Sequence, residues 1–211
     1  MTEAATRQTR SAVRLQPEQR RQQLLDSASA LVIRSGFANA TMQAIAREAG
    51  VTRPVVYEFY SDRAELLGDL LERETERALG SMLAAAPEVH RGTDIGELMR
   101  SALTGFLHIV MSDPQTWQLI LLPPSGAPET VRAGMEATRA AIFAALRSSL
   151  EPLAEPFGST ESDSELMALA FLSGCESAAR LVLKDPKQFP PERITAVVTW
   201  FIDRFAIGRP R

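Results

Sequence analysis

The chain has 211 residues, of which 45% are hydrophobic, and a net charge of −3, which is enough apolar material for one or two domains with a core. Its single cysteine excludes an intramolecular disulfide bond and a cysteine-rich zinc site. Residues 1–66 carry nine arginines and seven acidic residues, whereas residues 67–211 have a net charge of −5. The mildly basic front and the acidic remainder are therefore predicted to have different roles.

The N-terminal segment is polar and rich in arginine. Residues 1–16 are predicted to form a flexible arm, and they lack the apolar core of a signal peptide. No stretch reaches the roughly 18 apolar residues that a membrane helix needs. We therefore expect a soluble cytoplasmic protein, without a metal or a cofactor.

Apolar residues then recur at the spacing of a helix. Pro17 suits the first turn of a helix that Gly36 closes. Thr41 is a good N-cap for a second, short helix, which Gly50 ends.

The segment GVTRPVVYEFY, residues 50–60, admits two structures. Its valine, tyrosine and phenylalanine residues favour a buried strand. Thr52, with a proline two positions later, equally fits a capped helix with proline in the first turn. Helical spacing places Val56 and Tyr60 on one inward face. We therefore predict a helix over residues 53–59, the second element of a helix-turn-helix.

The same stretch resembles a known family. Residues 50–66 (GVTRPVVYEFYSDRAEL) are similar to the pattern Gly-Val-Ser/Thr-x-Gly/Pro-x-Leu/Val-Tyr-x-His/Phe-Phe/Tyr-x-x-Lys-Glu-x-Leu of the TetR family of bacterial transcription regulators. The resemblance extends through the preceding helix and covers residues 18–66. Three positions depart from the pattern: Phe59 stands where many members have histidine, Arg63 replaces lysine, and Ala64 replaces glutamate.

The resemblance implies an all-α fold of about nine helices. It implies a helix-turn-helix DNA-binding domain over residues 17–66 and an effector-binding and dimerisation domain over residues 67–211. The partners it implies are a double-stranded DNA operator, a small-molecule effector and a second copy of the chain. The implied function is that of a ligand-responsive repressor, which binds a palindromic operator as a dimer and is released by a small apolar or aromatic effector.

Side chains on the predicted helix-turn-helix fit the chemistry of DNA. A recognition helix meets base edges in the major groove through residues near its N-terminus, and arginine pairs with guanine O6 and N7. Base contacts are predicted for Arg53, Pro54 and Val55, phosphate contacts for Thr41, Thr52, Tyr57 and Arg63, and a contact to either adenine or a phosphate for Gln43. The simpler alternatives are that the threonines only cap helices and that Arg53 is a solvated charge.

The remaining sequence also predicts helices. Ser61 is predicted to cap a fourth helix that reaches Pro87, and Asp113-Pro114 to open a short one. Longer helices are predicted from Thr93 or Asp94, over residues 128–150, over 165–184 and over 190–207, with a loop at 123–126 and a polar loop at 156–164.

The last two predicted helices are suited to dimerisation, because one carries small residues that permit close approach and the other is more apolar than a terminal helix needs. The candidate interface residues are Leu166, Ala170, Ser173, Gly174, Ser177, Ile194, Val198, Phe201 and Phe205. The alternative is that these helices pack onto the body of the same chain.

Apolar and sulfur-containing residues of the second domain are candidates for the lining of an effector pocket. They are Met99, Leu103, Phe106, Trp117, Leu121, Met135, Phe143, Met167, Phe171 and Cys175. The alternative is that these side chains simply fill the core.

Two other classes of function compete with a DNA-binding regulator. An enzyme would need a nucleophile such as Cys175 paired with His90 or His108, but the sequence around Cys175 is typical of a buried, inert thiol. A helical small-molecule-binding protein with weakened DNA binding is the second alternative, favoured by Phe59 and by the acidic total charge.

Overall fold

The computed structural model describes residues 15–85, 94–121, 123–154 and 161–205, with the side chains of residues 95, 149–154, 161–164, 202, 203 and 205 left out. Within these ranges the chain forms nine α-helices and no strand, which confirms the all-α prediction. Their bounds are α1 Pro17–Ser35, α2 Met42–Glu48, α3 Arg53–Tyr57, α4 Arg63–Ala84, α5 Ile95–Ser112, α6 Pro114–Leu121, α7 Glu129–Ala154, α8 Glu161–Lys184 and α9 Pro191–Phe205. The predicted flexible arm lies almost wholly outside the described residues.

The first helix begins and ends at the predicted residues. Pro17 occupies the first turn of α1, where its missing N–H costs nothing. Gly36 follows the helix with φ +78°, a left-handed conformation that favours glycine, and its N–H donates to the Val32 carbonyl at 2.8 Å. Phe37 then folds back beneath the helix and is 1% exposed.

One apolar core lies beneath the first four helices, which we call the head. Ile45, Val56 and Leu67 are fully buried there. Leu119 and Val131, from α6 and α7, are buried in the same core. The predicted boundary at residue 66 therefore does not coincide with a break in the core, because side chains from the second half of the chain complete the head.

A second core lies between the later part of α4 and helices α5, α6 and α8. We call helices α5 to α9 the body. Leu107, Ala179 and Val182 are fully buried in it. Phe106 meets Trp117 edge to face, with ring centroids 5.0 Å apart, an arrangement that aromatic pairs favour. Both helices of this aromatic pair, α5 and α6, were predicted from helical spacing.

Several predicted helix boundaries differ from the structure; for example, α7 ends at Ala154 rather than at residue 150. The polar loop predicted at 156–164 overlaps the start of α8, which begins at Glu161 rather than at residue 165. Acidic residues in this segment favour a helix N-terminus, which explains why helix begins earlier than apolar spacing indicates. The fourth helix ends at Ala84, and Leu83, predicted to lie on its apolar face, is 78% exposed.

One helix, α8, contains a stretch that could span a membrane by length and composition, contrary to the prediction from sequence. Residues Glu165–Lys184 of α8 are long enough and apolar enough to do so by composition, with a mean hydropathy of 1.5. Their apolar residues face two ways, since Ala168 and Cys175 are buried whereas Leu166 and Leu169 are exposed. That pattern is typical of a helix shared between a core and a protein interface.

Candidate nucleic-acid interface

The helix α2 and the turn after it have the predicted geometry. Thr41 is the N-cap of α2, and its hydroxyl oxygen accepts the Ala44 N–H at 3.2 Å. Gly50 has φ +66°, and the Val51 N–H donates to the Ala46 carbonyl at 2.9 Å. This left-handed turn directs the chain from α2 into α3.

The helix α3 is shorter than predicted. It runs from Arg53 to Tyr57 and not to residue 59, with the proline in its first turn. Thr52 occupies the N-cap position in an extended conformation, but its side chain makes no capping hydrogen bond. The prediction that the Thr52 side chain caps this helix is therefore wrong, and its exposed hydroxyl stays available at the helix N-terminus.

The two sides of α3 differ completely in burial. Val56 is fully buried and Tyr60, just beyond the helix, is 1% exposed, as helical spacing predicts. Arg53, Pro54 and Tyr57 are exposed on the opposite side. Packing of the underside stabilises a helix whose β-branched and aromatic residues have poor helix propensity. The opposite side is left as a continuous outward surface.

Val55 and Gln43 border that outward surface. Val55 is half-buried rather than fully exposed, so part of its side chain is accessible beside Pro54. Gln43 is exposed in the first turn of α2. Thr41 is exposed beside it. The structure therefore brings seven of the eight predicted DNA contacts to the accessible surface of α2 and α3.

Arg53 and Tyr57 contact one another on this surface. One guanidinium nitrogen of Arg53, Nη2, donates to the Tyr57 hydroxyl at 2.9 Å. The guanidinium carbon also lies 5.2 Å from the centre of the Tyr57 ring, within the range of a cation–π contact. The four-residue spacing on one helix face makes this pair possible.

Arg63, the eighth predicted contact, has other partners. Its Nε donates to the Ala40 carbonyl at 3.0 Å, and Nη2 donates to the carbonyls of Phe37 and Gly126, the latter at 3.0 Å. Burial lowers the pKa of the Arg63 guanidinium from its ordinary value. Backbone carbonyls thus accept three hydrogen bonds from a guanidinium that has five N–H donors, and a phosphate contact by Arg63 stays a prediction.

The cap of α4 differs by one residue from the prediction. Asp62, not Ser61, is the N-cap, and its carboxylate accepts the Glu65 N–H at 2.9 Å. The Glu65 carboxylate in turn accepts the Ser61 N–H at 2.6 Å. A carboxylate at this position is favoured by the helix dipole as well as by the hydrogen bond.

Arg21 has a structural role that the sequence did not indicate. It pairs with Asp69 of α4, and its guanidinium carbon lies 5.1 Å from the centre of the Tyr60 ring. Burial raises the pKa of Tyr60 to about 12. Arg21 therefore joins α1 to α4.

The predicted dimer residues divide into two groups. Leu166 and Phe201 are 63% and 53% exposed, and Ala170, Gly174 and Ser177 are exposed as well. Ser173 is half-buried. Ile194 and Val198 are half-buried and pack against the core of the body, so their place in a dimer interface stays a prediction. Phe205 lies among the side chains that the structure leaves out.

Other apolar residues extend the exposed face. Val197 and Trp200 on α9 are 53% and 58% exposed, and Leu169 on α8 is 44% exposed. Trp200 meets Phe201 edge to face, with ring centroids 5.2 Å apart. An exposed apolar surface of this kind is typical of an interface with another protein.

The predicted effector residues lie mostly within core packing. Leu103, Trp117 and Cys175 are buried in the core of the body, with Phe106, Leu121 and Phe171 packed against them. Met135 packs instead against the core of the head, and Met99, Phe143 and Met167 are half-buried. One surface depression of about 560 Å³ borders α1 and Glu48, away from these residues, and another of about 440 Å³ includes Leu121.

Cys175 is suited to packing rather than to nucleophilic chemistry. The thiol is buried, and burial raises its pKa to about 12. A thiol with so high a pKa is almost wholly protonated at neutral pH and therefore a poor nucleophile. Among the described residues, no group of three or more histidine, cysteine, aspartate or glutamate side chains is placed to hold a metal ion.

Comparison with known proteins agrees with this geometry. Residues 24–70 match the sequence model of the family described as bacterial regulatory proteins, tetR family. The HTH-type transcriptional activator FasR of Mycolicibacterium smegmatis is 31% identical over 135 residues, which are 62% of this chain and 60% of FasR. The match thus spans about three fifths of the length of that curated relative.

Solved structures share the fold over most of the chain. A TetR-like transcriptional regulator from Rhodococcus sp. RHA1 has a TM-score of 0.69 at 26% identity, covering 93% of this chain and 100% of that one. The fatty acid degradation regulator FadR from Bacillus halodurans has a TM-score of 0.65 at 14% identity, covering 90% and 96%; this second likeness concerns the fold alone. Residues 24–70 are thus similar to the DNA-binding part of the TetR family of bacterial regulatory proteins, and the chain as a whole is similar to solved TetR-like regulators. FasR is named as a transcriptional activator, and the Rhodococcus protein as a transcriptional regulator.

Proposed function

We propose that this protein is a dimeric transcription regulator that binds a palindromic DNA operator through α3. The supporting observation is the contrast between the two sides of α3. Val56 is fully buried on one side, whereas Arg53, Pro54 and Tyr57 are exposed together on the other. A short helix fixed by its underside presents its N-terminal residues as a rigid surface, as recognition in a major groove requires.

The exposed residues have complementary chemistry. Arg53 at the N-terminus of α3 fits the two acceptors of guanine, and Pro54 fits a thymine methyl group. Thr41 and Thr52 lie at the N-termini of α2 and α3, where hydroxyl and backbone N–H groups suit phosphate oxygens. We propose that Arg53 and Pro54 read the base sequence. The two threonines would fix the position of the helices on the DNA backbone.

The face of α8 and α9 supports a dimer. Leu166, Trp200 and Phe201 are each more than half exposed. A second copy would bury this face by a two-fold operation, since the same surface on each chain is then covered. Two heads in one dimer would meet half-sites about 34–36 Å apart, one turn of DNA or a multiple of it.

The effector site is proposed within the core of the body. Phe106, Trp117 and Phe171 form an aromatic group there, and Met99 and Met167 are half-buried. Methionine side chains adapt readily to different shapes, so an apolar or aromatic ligand would enter by displacing them. Release from DNA requires that this ligand bind more tightly to the conformation that does not fit the operator.

Repression is the proposed outcome, and activation is the alternative. The relative FasR is named as an activator, which favours the alternative. A reporter gene controlled by the protein's own binding site separates them: repression predicts lower expression when the protein is present, and activation predicts higher expression.

Selection of DNA sequences from a random duplex library tests DNA binding itself. Purified wild-type protein is expected to recover a two-fold symmetric consensus. Recovery of unrelated sequences would contradict the proposal. That result would favour a small-molecule-binding protein with weakened DNA binding. Phe59 supports this alternative, because it packs on the head core at a position where many family members have a hydrogen-bonding histidine.

A further inference from the structure

The turn between α6 and α7 lies directly against the head. Gly126 in this turn has φ +76°, and a Cβ added to it would lie 2.6 Å from the Cβ and 2.9 Å from the Cα of Ala38. Ala38 belongs to a short 3-10 turn, Phe37–Asn39, between α1 and α2. Because no side chain fits in this gap, the close approach of body and head depends on glycine at residue 126.

Arg63 crosses the same contact. It donates to the carbonyl of Gly126 at 3.0 Å and to the carbonyls of Phe37 and Ala40 in the head. Its side chain, at the start of α4, thus holds two backbone segments that are far apart in sequence. Hydrogen bonds from a charged donor are among the stronger ones, and a planar guanidinium can reach several acceptors at once.

Apolar packing continues from this contact into the head core. Leu119 lies before the turn and is fully buried in that core, and Val131 lies after it and is 1% exposed. Ala127 and Met135 pack against the same cluster. The segment from α6 to α7 therefore touches the head through hydrogen bonds, a close backbone approach and buried side chains.

We propose that the contact between Arg63, Gly126 and Ala38 positions the helix-turn-helix relative to the body, so that movements of α7 and α8 reach α2 through it. On the head side, the Ala40 carbonyl held by Arg63 directly precedes Thr41, the N-cap of α2. On the body side, Arg139 of α7 donates to Glu176 of α8 at 2.8 Å. Hydrogen bonds therefore link the contact to the start of α2 on the head side and link α7 to α8 on the body side.

A glycine pair provides a matched test in the full-length protein. Gly126→Ala introduces both backbone strain and the collision with Ala38. Gly36→Ala also places a side chain on backbone of positive φ, +78°, but a Cβ there has nothing within 4 Å. Only the first variant is therefore expected to change the position of the head, although both are expected to lose some stability.

The position of the head can be measured without DNA. Spin labels at Arg47→Cys in α2 and Lys187→Cys after α8, in a Cys175→Ser background, report the distance from head to body when labelled chains are diluted with unlabelled ones. Gly126→Ala is expected to shift or broaden the distance distribution, whereas Gly36→Ala should leave it as in the parent. Equal distributions in all three proteins would overturn the proposal.

A second variant covers the case in which Gly126→Ala does not fold. Arg63→Lys keeps the charge but loses the planar group that reaches three carbonyls. It is expected to broaden the same distance distribution. A distribution identical to that of the parent would show that Arg63 does not position the head.

DNA affinity is a second measurement, separate from the spin-label distances, and it rests on the proposed function. On a duplex recovered by the selection described above, Gly126→Ala is expected to bind roughly tenfold more weakly, within the usual range of coupling between sites. Its preference at each base pair should remain that of the wild type, since the reading side chains are unchanged. Altered base preference would overturn the positioning role. If the wild type selects no sequence, the proposed function fails, while the spin-label distances still decide the role of the contact.

Discussion

Arg53 and Tyr57 form a pair on the outward face of the recognition helix, with the Arg53 guanidinium donating to the Tyr57 hydroxyl at 2.9 Å. The same guanidinium lies over the Tyr57 ring at 5.2 Å. Long arginine side chains lose rotamer freedom when they bind. A neighbour that already restricts Arg53 would reduce that loss when Arg53 meets a base.

Tyr57→Phe tests this pairing, because it keeps the ring and removes the hydroxyl. If Tyr57 orients Arg53, discrimination at the base pair that Arg53 reads should fall by about 0.3–0.5 kcal/mol, the size of an exposed pair on a helix. Binding titrations with single-base operator variants measure this loss. Glu58→Gln, also exposed, is the matched control.

A phosphate contact by Tyr57 gives a different result. Affinity would then fall by the same factor for every sequence, because phosphates carry no sequence information. Such a uniform loss would contradict the orienting role and support the phosphate contact predicted from sequence.

The exposed aromatic group on α9 leads to a prediction about dimerisation. Phe201→Asp places a charge in the proposed interface and should weaken the dimer roughly tenfold or more, as expected for an aromatic residue near the centre of an interface. Sedimentation equilibrium measures the dissociation constant. Leu83→Asp is the control, since Leu83 is 78% exposed on α4. Equal dimer affinity in the two variants would exclude this face as the interface.

The buried thiol predicts a pH dependence of labelling. Burial raises the pKa of Cys175 to about 12 from an ordinary value of 9.0, so iodoacetamide should react very slowly with the native protein at pH 8 and quickly in urea. The unfolded chain loses its thiol proton at lower pH than the folded one, so this group's contribution to stability is present below about pH 9 and falls as pH rises towards 12. Rapid labelling of the native protein at neutral pH would contradict this prediction and would support a reactive Cys175 thiol.

A buried carboxylate in α4 is predicted to matter for stability. Glu74 is 2% exposed; it pairs with Arg73 at 2.7 Å and accepts the Thr116 hydroxyl from α6. Glu74→Gln should lower the free energy of unfolding by about 1–3 kcal/mol, since the half-buried Arg73 loses a charged acceptor. Urea unfolding measures the change against Glu72→Gln, an exposed residue of the same helix. Similar stabilities for the two variants would contradict this assignment.

The head was largely predictable because its signals are local. The positions of Pro17, Gly36, Thr41 and Gly50 mark helix ends through backbone chemistry that acts within a few residues. The spacing of Val56 and Tyr60 predicted the inward side of α3 for the same reason. By contrast, the roles of Arg63 and Gly126 depend on segments that meet only in three dimensions, and no local signal indicates them.

The dimer and effector residues were harder to predict for another reason. α9 is apolar on more than one side, so its spacing could not show that Ile194 and Val198 face inward while Val197 and Phe201 face outward. In the body, large apolar side chains serve equally well for a packed core and for a pocket. Which of the two they form is determined by the distances between helices, and these do not follow from composition.

We infer above all that the Arg53 guanidinium contacts a base of the DNA operator and thereby contributes to sequence recognition. The most direct test is a binding titration of the wild type and Arg53→Ala against the selected duplex and a scrambled duplex at one fixed salt concentration, with Lys187→Ala as a control for lost charge. The wild type and Lys187→Ala are expected to prefer the selected duplex by roughly 10³-fold or more, and Arg53→Ala is expected to lose about 1–3 kcal/mol of discrimination at one base pair. Equal wild-type affinity for the two duplexes, or unchanged base discrimination in Arg53→Ala, would contradict it.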